Sequence, residues 1–539
     1  MYRSPDIHLV PPIPAAPPSA SADVQDSLPR RAEVVIVGSG FGGLCMAMKL
    51  QRAGIHDFVI LEKAQEIGGT WRDNHYPGAA CDVPSHLYSY SFAPNPEWSR
   101  SYSHQPEIHR YINDVADRFG VRDKARFGVE VIRAAWSESE QHWLIDTVPA
   151  GTDPATAAMT TYRAQHLIGA VGPLCEPNLP DIDGIESFGG TVMHSARWDD
   201  DVELSGKRVA VIGTGASAIQ IVPEVAKRVA HLDVYQRTAP WIVPRTERPY
   251  TPVERWLFKN APIVQSAGRA GVYAFNEFIA FGLTHSRTAL KPVELVARAN
   301  IARGIRDRKL RDKVTPRFQV GCKRILRSNA WYPALDRPNV DLVTDPIARV
   351  TPSGIVTADG TEREIDVLIV ATGFHVTDSP VFDCIVGAEG RSLAQTWETN
   401  GMQGYKGSFV HGFPNMMLMV GPATGLGHTS MVYMIESQLN YLVDYLKTVR
   451  AQGITRVDVD EQSQRGYNTG IQHALRNSVW VNGGCASWYA DDNGNITTLW
   501  PGFTFNFRKQ TRRFDVAAYD VARDSSAADT PAVLASTRA

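Results

Sequence analysis

Short apolar-rich runs recur along the chain at residues 33–37, 58–61, 207–212, 232–235 and 364–370. Runs of this length, rich in Val and Ile and polar at neither face, predict strands buried on both sides of a parallel sheet. The first and third of them lead through a glycine-rich turn into apolar positions at helical spacing, as at residues 44–53. Strand, turn, helix, strand is the repeating unit of an α/β fold with parallel sheets. A different texture appears at residues 294–313, a polar, Arg-rich stretch that predicts a solvated helical segment.

The two glycine turns specify more than topology. The first reads Gly38-Ser-Gly40-Phe-Gly-Gly43 and the second Gly213-Thr-Gly215-Ala-Ser-Ala218. In each, the first glycine permits a tight turn and the second lets backbone N–H groups approach a pyrophosphate. The third small residue lets the helix pack against its strand. The strand after each helix ends in a charged residue, Glu62 in the first unit and Arg237 in the second, and both lie 24 residues beyond the first glycine. A carboxylate there accepts hydrogen bonds from a ribose diol, whereas an arginine suits a 2′-phosphate. The first unit is therefore expected to take FAD or NAD and the second NADPH. Two Rossmann-like units of opposite 2′ preference imply electron transfer from a nicotinamide to a second cofactor, a use that neither a binding module nor a structural protein has for both.

Composition narrows the class further. The chain has 539 residues and a formal net charge of −2, room for roughly three to four domain-sized units. No Lys/Arg-rich block points to nucleic acid, and no apolar run is long enough to predict a membrane-spanning helix. Residues 1–30 are rich in Pro and Ala and read as a disordered lead-in, not a signal peptide; the tail from about Arg523 is expected to fray. Six scattered cysteines, Cys45, Cys81, Cys175, Cys322, Cys384 and Cys485, form no C-x-x-C and no Cys/His ligand spacing. They predict reduced thiols in a cytoplasmic protein and no metal site.

Five further segments bear on the family. Phe188-Gly-Gly190-Thr-Val-Met-His194-Ser-Ala-Arg-Trp198-Asp199 lies between the glycine turns. Gly69-Thr-Trp71-Arg-Asp-Asn-His-Tyr-Pro-Gly-Ala-Ala-Cys-Asp82 follows the first unit. Ala371-Thr-Gly-Phe374 ends an apolar run, and Gly484-Cys-Ala-Ser-Trp-Tyr489 with Trp500-Pro-Gly502 stands near the C-terminus. On these segments, residues 31–515 resemble the class B flavoprotein monooxygenases and, within them, the Baeyer–Villiger monooxygenases. The resemblance implies an FAD-binding domain split between 31–165 and 385–539. It also implies an NADP-binding domain at 166–384 that carries a small helical subdomain at 240–322.

The resemblance also implies chemistry. NADPH would reduce FAD, reduced flavin would capture O₂ as a C4a-peroxyflavin, and the peroxide would insert one oxygen beside a ketone carbonyl to give an ester or lactone. Arg324 would face the flavin and Asp82 would hold it; a fixed guanidinium favours a peroxide anion and donates to a developing oxyanion. Cofactor-binding positions would be Gly38, Gly40, Gly43, Glu62, Thr70, Trp71, Asp82 and Tyr88 for FAD, with Trp71 and Tyr88 packing around the flavin. For NADPH they would be Gly213, Gly215, Ser217, Arg237, Thr238 and Lys323. Gly190, His194 and Trp198 are expected to couple the domains and not to act in acid–base catalysis. Heteroatom oxygenation of sulfides or amines is the alternative reaction and an NADPH-dependent flavoprotein reductase the remote one. The implied partners are a small-molecule substrate and O₂, with no nucleic acid, no membrane span and no obligatory protein partner.

Overall fold

The computed structural model describes residues 29–523, apart from Asp492. Most of the Pro-rich lead-in and the C-terminal tail thus lie outside the described residues.

Two parallel-rich sheets organise the molecule. The larger orders its strands Ile385–Val386, Val129–Ser137, His142–Pro149, Thr160–Gly169, Arg30–Val37, Phe58–Leu61 and Ala125–Arg126, with Met416–Leu418 added beside Thr160–Gly169. Val34 to Val37 pair in parallel with Phe58 to Leu61 on one side and with His166 to Gly169 on the other. Both faces of this strand are covered, Val34 and Ile36 packing into one core with the helix Phe41–Arg52 and Val35 into another, which is why all three are fully buried and the run carries no alternation. The smaller sheet is wholly parallel in the order Val340–Val343, His231–Tyr235, Arg208–Ile212, Val367–Val370 and Thr191–His194.

The segment 166–384 expected as one unit overlaps the larger sheet, since Thr160–Gly169 continues past residue 165 within it. The Arg-rich stretch forms two helices, Lys291–Gly304 and Arg308–Val314, separated by a break after Gly304. A Cβ at Gly304 would lie 2.4 Å from the Tyr332 Cβ, so the chain must pass this point without a side chain. Helices Pro252–Asn260 and Pro262–Thr284 precede them. This helical insert leaves and rejoins the body through the two-residue strands Ile242–Val243 and Leu326–Arg327, which pair with one another. Among the described residues no helix is long and apolar enough to cross a membrane.

One expectation is overturned. Cys322 and Cys485 are joined in a disulfide, while Cys45, Cys81, Cys175 and Cys384 are free. The partners are 163 residues apart, and neither has a spacing motif that could have announced the pair.

Candidate functional site

The first glycine turn is built as its residues require. Gly38 has φ +104°, and a Cβ on it would lie 2.7 Å from the Ala170 carbonyl oxygen. Gly43 packs closer still, with Gly38 O only 2.0 Å from where its Cβ would stand. Gly40, by contrast, meets only the Gly69 Cα at 3.6 Å, which leaves its face of the turn open. Glu62 closes the turn from the end of its strand. Its carboxylate accepts from the Ser39 N–H at 2.9 Å, the Ser39 hydroxyl at 2.6 Å and the Ala64 N–H at 2.9 Å. Arg72 adds an ion pair to Glu62 at 3.2 Å. Sequence reasoning passed over Arg72, although it stands one residue beyond the motif residue Trp71. Thr70 opens the short helix Thr70–Asp73, and the Trp71 indole donates to the Tyr88 hydroxyl at 3.0 Å.

The second turn repeats the design. Gly213 has φ +120°, and a Cβ there would sit 2.4 Å from the Ala371 carbonyl oxygen. The Ala371-Thr-Gly-Phe374 segment is therefore the wall against which the turn closes. Gly215 has nothing within 4 Å of its Cβ position, so space for a ligand lies before the helix Ala218–Val225. Ser217 stands at the N-cap position of that helix without a side-chain capping hydrogen bond, and Thr214 donates to the Thr238 carbonyl at 3.0 Å, which ties the turn to the residue after Arg237.

Arg237 is exposed and Lys323 half-buried. Burial lowers the Lys323 pKa and the nearby charge of Arg237 lowers it further. Neither side chain has a carboxylate partner among the ion pairs of the described residues. Two cations brought together without a counter-charge fit an anion such as a phosphate.

Asp82 and Arg324 meet as a bidentate pair. Arg324 Nε and Nη2 donate to the two Asp82 oxygens at 2.7 and 2.9 Å, and Nη1 donates to the Leu426 carbonyl at 3.2 Å. About a third of each side chain remains exposed, 34% for Arg324 and 28% for Asp82. Burial alone would raise the Asp82 pKa, but the Arg324 charge and its hydrogen bonds, with Arg327 and Arg245 behind them, hold it below the usual carboxylate range. Asp82 thus faces three arginines, of which Arg245 also pairs with Glu247 at 3.2 Å. Arg245 and Arg327 were not singled out from the sequence; Arg327 stands in the strand Leu326–Arg327 at the base of the helical insert, and Arg245 two residues beyond its partner strand Ile242–Val243. Arg245 donates to the Cys81 carbonyl at 2.9 Å.

His194 ends the edge strand Thr191–His194 of the smaller sheet. It is fully buried, its Nδ1 accepts from the Ala196 N–H at 3.1 Å and its Nε2 donates to the Gly373 carbonyl at 3.0 Å. Burial brings its pKa down to about 4, with Arg197 contributing and the Gly373 hydrogen bond opposing. Both ring nitrogens are committed to backbone, so the neutral ring ties the 188–199 segment to the end of the Val367–Val370 strand. The Trp198 carbonyl contacts His75 Nε2 at 3.1 Å, which links the 188–199 and 69–82 segments directly. Gly190 is demanded by packing, since a Cβ there would lie 2.6 Å from the Phe188 ring. His231, Asp233 and Asp341 bring potential ligand atoms together elsewhere, but Arg363 already pairs with Asp233 at 3.2 Å.

A family model described as pyridine nucleotide-disulphide oxidoreductase matches residues 35–260. The chain is similar to a Baeyer–Villiger monooxygenase of Streptomyces coelicolor, 48% identical over 92% of this chain and 93% of that one. In structure it is similar to cyclohexanone monooxygenase from Rhodococcus sp. Phi1 bound to NADP⁺, with a TM-score of 0.80 at 27% identity over 92% of this chain and 100% of the other. It is likewise similar to a structure of OTEMO complexed with FAD and NADP, with a TM-score of 0.80 at 26% identity over 91% of this chain and 99% of that one.

Proposed function

The chain belongs to the Baeyer–Villiger monooxygenase family, and on that premise we propose that Arg324 is the residue facing the reacting oxygen and that Lys323 and Arg237 hold the 2′-phosphate of NADPH. The enzyme uses FAD, NADPH and O₂ to insert one oxygen atom beside a ketone carbonyl, giving an ester or lactone. Bound FAD supplies the oxygen-activating chemistry and NADPH the hydride.

The observation that carries the role of Arg324 is a count of its donors. A guanidinium has five N–H groups. Asp82 takes two and Leu426 one, so two remain, on Nη1 and Nη2, at the open side of the pair. They suit an oxyanion forming at the substrate carbonyl, and donors already fixed in place need no reorganisation as that charge develops. The guanidinium also stays charged at any working pH, since the Asp82 charge raises its pKa further. Asp82 keeps the plane of the fork fixed and limits the cost of a cation in the cleft.

The other residues bind and orient. The open faces of Gly40 and Gly215 admit two dinucleotide pyrophosphates at two helix N-termini. Glu62 and Arg72 define the ribose end of the first site. Trp71 and Tyr88 form one wall of the flavin pocket, and His194 with Trp198 keeps the two nucleotide units in register.

The test is oxygenation of a panel of cyclic, linear and aromatic ketones by the FAD-loaded enzyme with NADPH in air, read by mass spectrometry. One added oxygen atom per ketone is expected. NADPH consumption that yields hydrogen peroxide and no oxygenated product across the panel refutes the reading.

A further inference from the structure

The backbone that carries Lys323 and Arg324 has little secondary structure to hold it. Only the two-residue strand Leu326–Arg327 follows, paired with the equally short Ile242–Val243. The Arg324 side chain is gripped well, but by groups remote in the chain, Asp82 and Leu426. What fixes the main chain is a second segment, residues 483–489.

That segment meets residues 319–322 at two points, a hydrogen bond and a covalent bond. The Gln319 N–H donates to the Gly483 carbonyl at 3.0 Å. Cys322, fully buried and immediately before Lys323, is bonded to Cys485. Tyr489, four residues further on, is buried. The approach is as close as backbone allows. A Cβ on Gly483 would stand 2.6 Å from the Cys322 Cβ and 2.7 Å from its Sγ. The second segment thus anchors the chain immediately before Lys323 and Arg324, by the covalent bond and by the close packing of Gly483 on Cys322.

We infer that the Cys322–Cys485 disulfide is a positioning clamp that holds Lys323 and Arg324 in register with the two nucleotide sites. The inference rests on the roles given to those two residues above. A disulfide closing so long a loop also stabilises the fold by restricting the unfolded chain, and that purely structural role predicts a lower melting temperature and nothing else. A clamp predicts a change in the folded enzyme. With the bond open, Lys323 holds the coenzyme less firmly and Arg324 meets the oxygen less often, so more of it leaves as hydrogen peroxide. Misplacement by about 1 Å can cost a reaction on the order of a hundredfold; Asp82 still holds the Arg324 fork, so a smaller effect is expected.

The experiment uses the FAD-loaded wild type and the variant Cys485→Ser, both assayed well below their melting temperatures. Differential alkylation with mass spectrometry first maps the thiols with and without dithiothreitol. The dithiol delivers two electrons and two protons to the sulfur–sulfur bond, leaving two protein thiols and its own cyclic disulfide. Cys485 is partly exposed, so it can be reached. With the alkylation carried out after denaturation, Cys322 and Cys485 should resist labelling without prior reduction and accept it after reduction. Opening the bond should raise the hydrogen peroxide released per NADPH by about threefold or more and raise the KM for NADPH. After removal of the dithiol, reoxidation by added glutathione disulfide, which takes up the two electrons and two protons as two glutathione thiols, should restore the wild type and leave the variant unchanged. Labelling of both cysteines before reduction overturns the inference, as does a peroxide yield and KM unaffected by reduction. A wild type that makes no oxygenated product in either redox state instead overturns the oxygenase reading, and the clamp's role with it.

Discussion

Replacing Arg237 by alanine should remove much of the preference for NADPH over NADH while leaving the use of NADH nearly untouched. The two coenzymes differ only in the 2′-phosphate, and Arg237 with Lys323 forms the cationic pair proposed to hold it. A hydrogen bond to a charged group contributes about 1.5–3 kcal/mol. Arg237 is exposed, so solvent screening places it at the low end, about 1.5 kcal/mol, or roughly tenfold in kcat/KM. Half-buried Lys323 belongs at the high end, about 3 kcal/mol, or on the order of a hundredfold. The two losses should not add. Removing Arg237 also lifts its repulsion from Lys323, whose pKa then rises toward that of an ordinary lysine, and the remaining cation binds the phosphate better. The assay is steady-state oxidation of each coenzyme at saturating ketone, reported as the NADPH to NADH ratio of kcat/KM. A ratio unchanged in Arg237→Ala, or equal losses with both coenzymes, would falsify the assignment of the 2′-phosphate to this pair.

Three further outcomes are expected. Arg324→Ala should lower ester formation by about a hundredfold or more, the usual cost of losing one oxyanion donor, while NADPH oxidation continues into hydrogen peroxide; wild-type rates of product formation in this variant would refute its role. The folded-state pKa of Asp82 is depressed, so the stability it adds is fully present above the ordinary carboxylate pKa of about 4 and is lost as pH falls through its lower folded value. Asp82→Asn should therefore shrink the acid limb of a denaturation-midpoint profile, and an unchanged limb would argue against the pair. Gly213→Ala and Gly215→Ala should separate fold from binding. The first combines a positive φ with a Cβ 2.4 Å from a carbonyl oxygen and should cost about 2 kcal/mol or more in stability; the second meets open space and should keep its melting temperature while its KM for NADPH rises.

Much of the site was legible because its residues are tied to local geometry. A glycine turn between a buried strand and a helix is dictated by sterics within a few residues, so Gly38, Gly40, Gly43, Gly213 and Gly215 could be placed from their order alone. The charged ends Glu62 and Arg237 followed from a fixed spacing within one unit. Arg72 escaped because its ion pair with Glu62 closes across a loop. The pairing of Asp82 with Arg324, separated by 242 residues, entered only through family resemblance, since nothing local to either residue names the other.

The chain's own order of residues determined an α/β protein with two glycine turns, one followed by an acid and the other by a base at the same spacing, because strand burial, turn sterics and residue spacing are short-range matters. The tertiary structure decided which distant groups share a cleft. It set Arg245 and Arg327 behind Asp82, drew Lys323 to Arg237, and joined Cys322 to Cys485 where reduced thiols were expected. The physical reason is the same in each case. A charge or a thiol takes its character from neighbours within a few ångströms, and those neighbours are chosen by how the sheets and the helical insert pack.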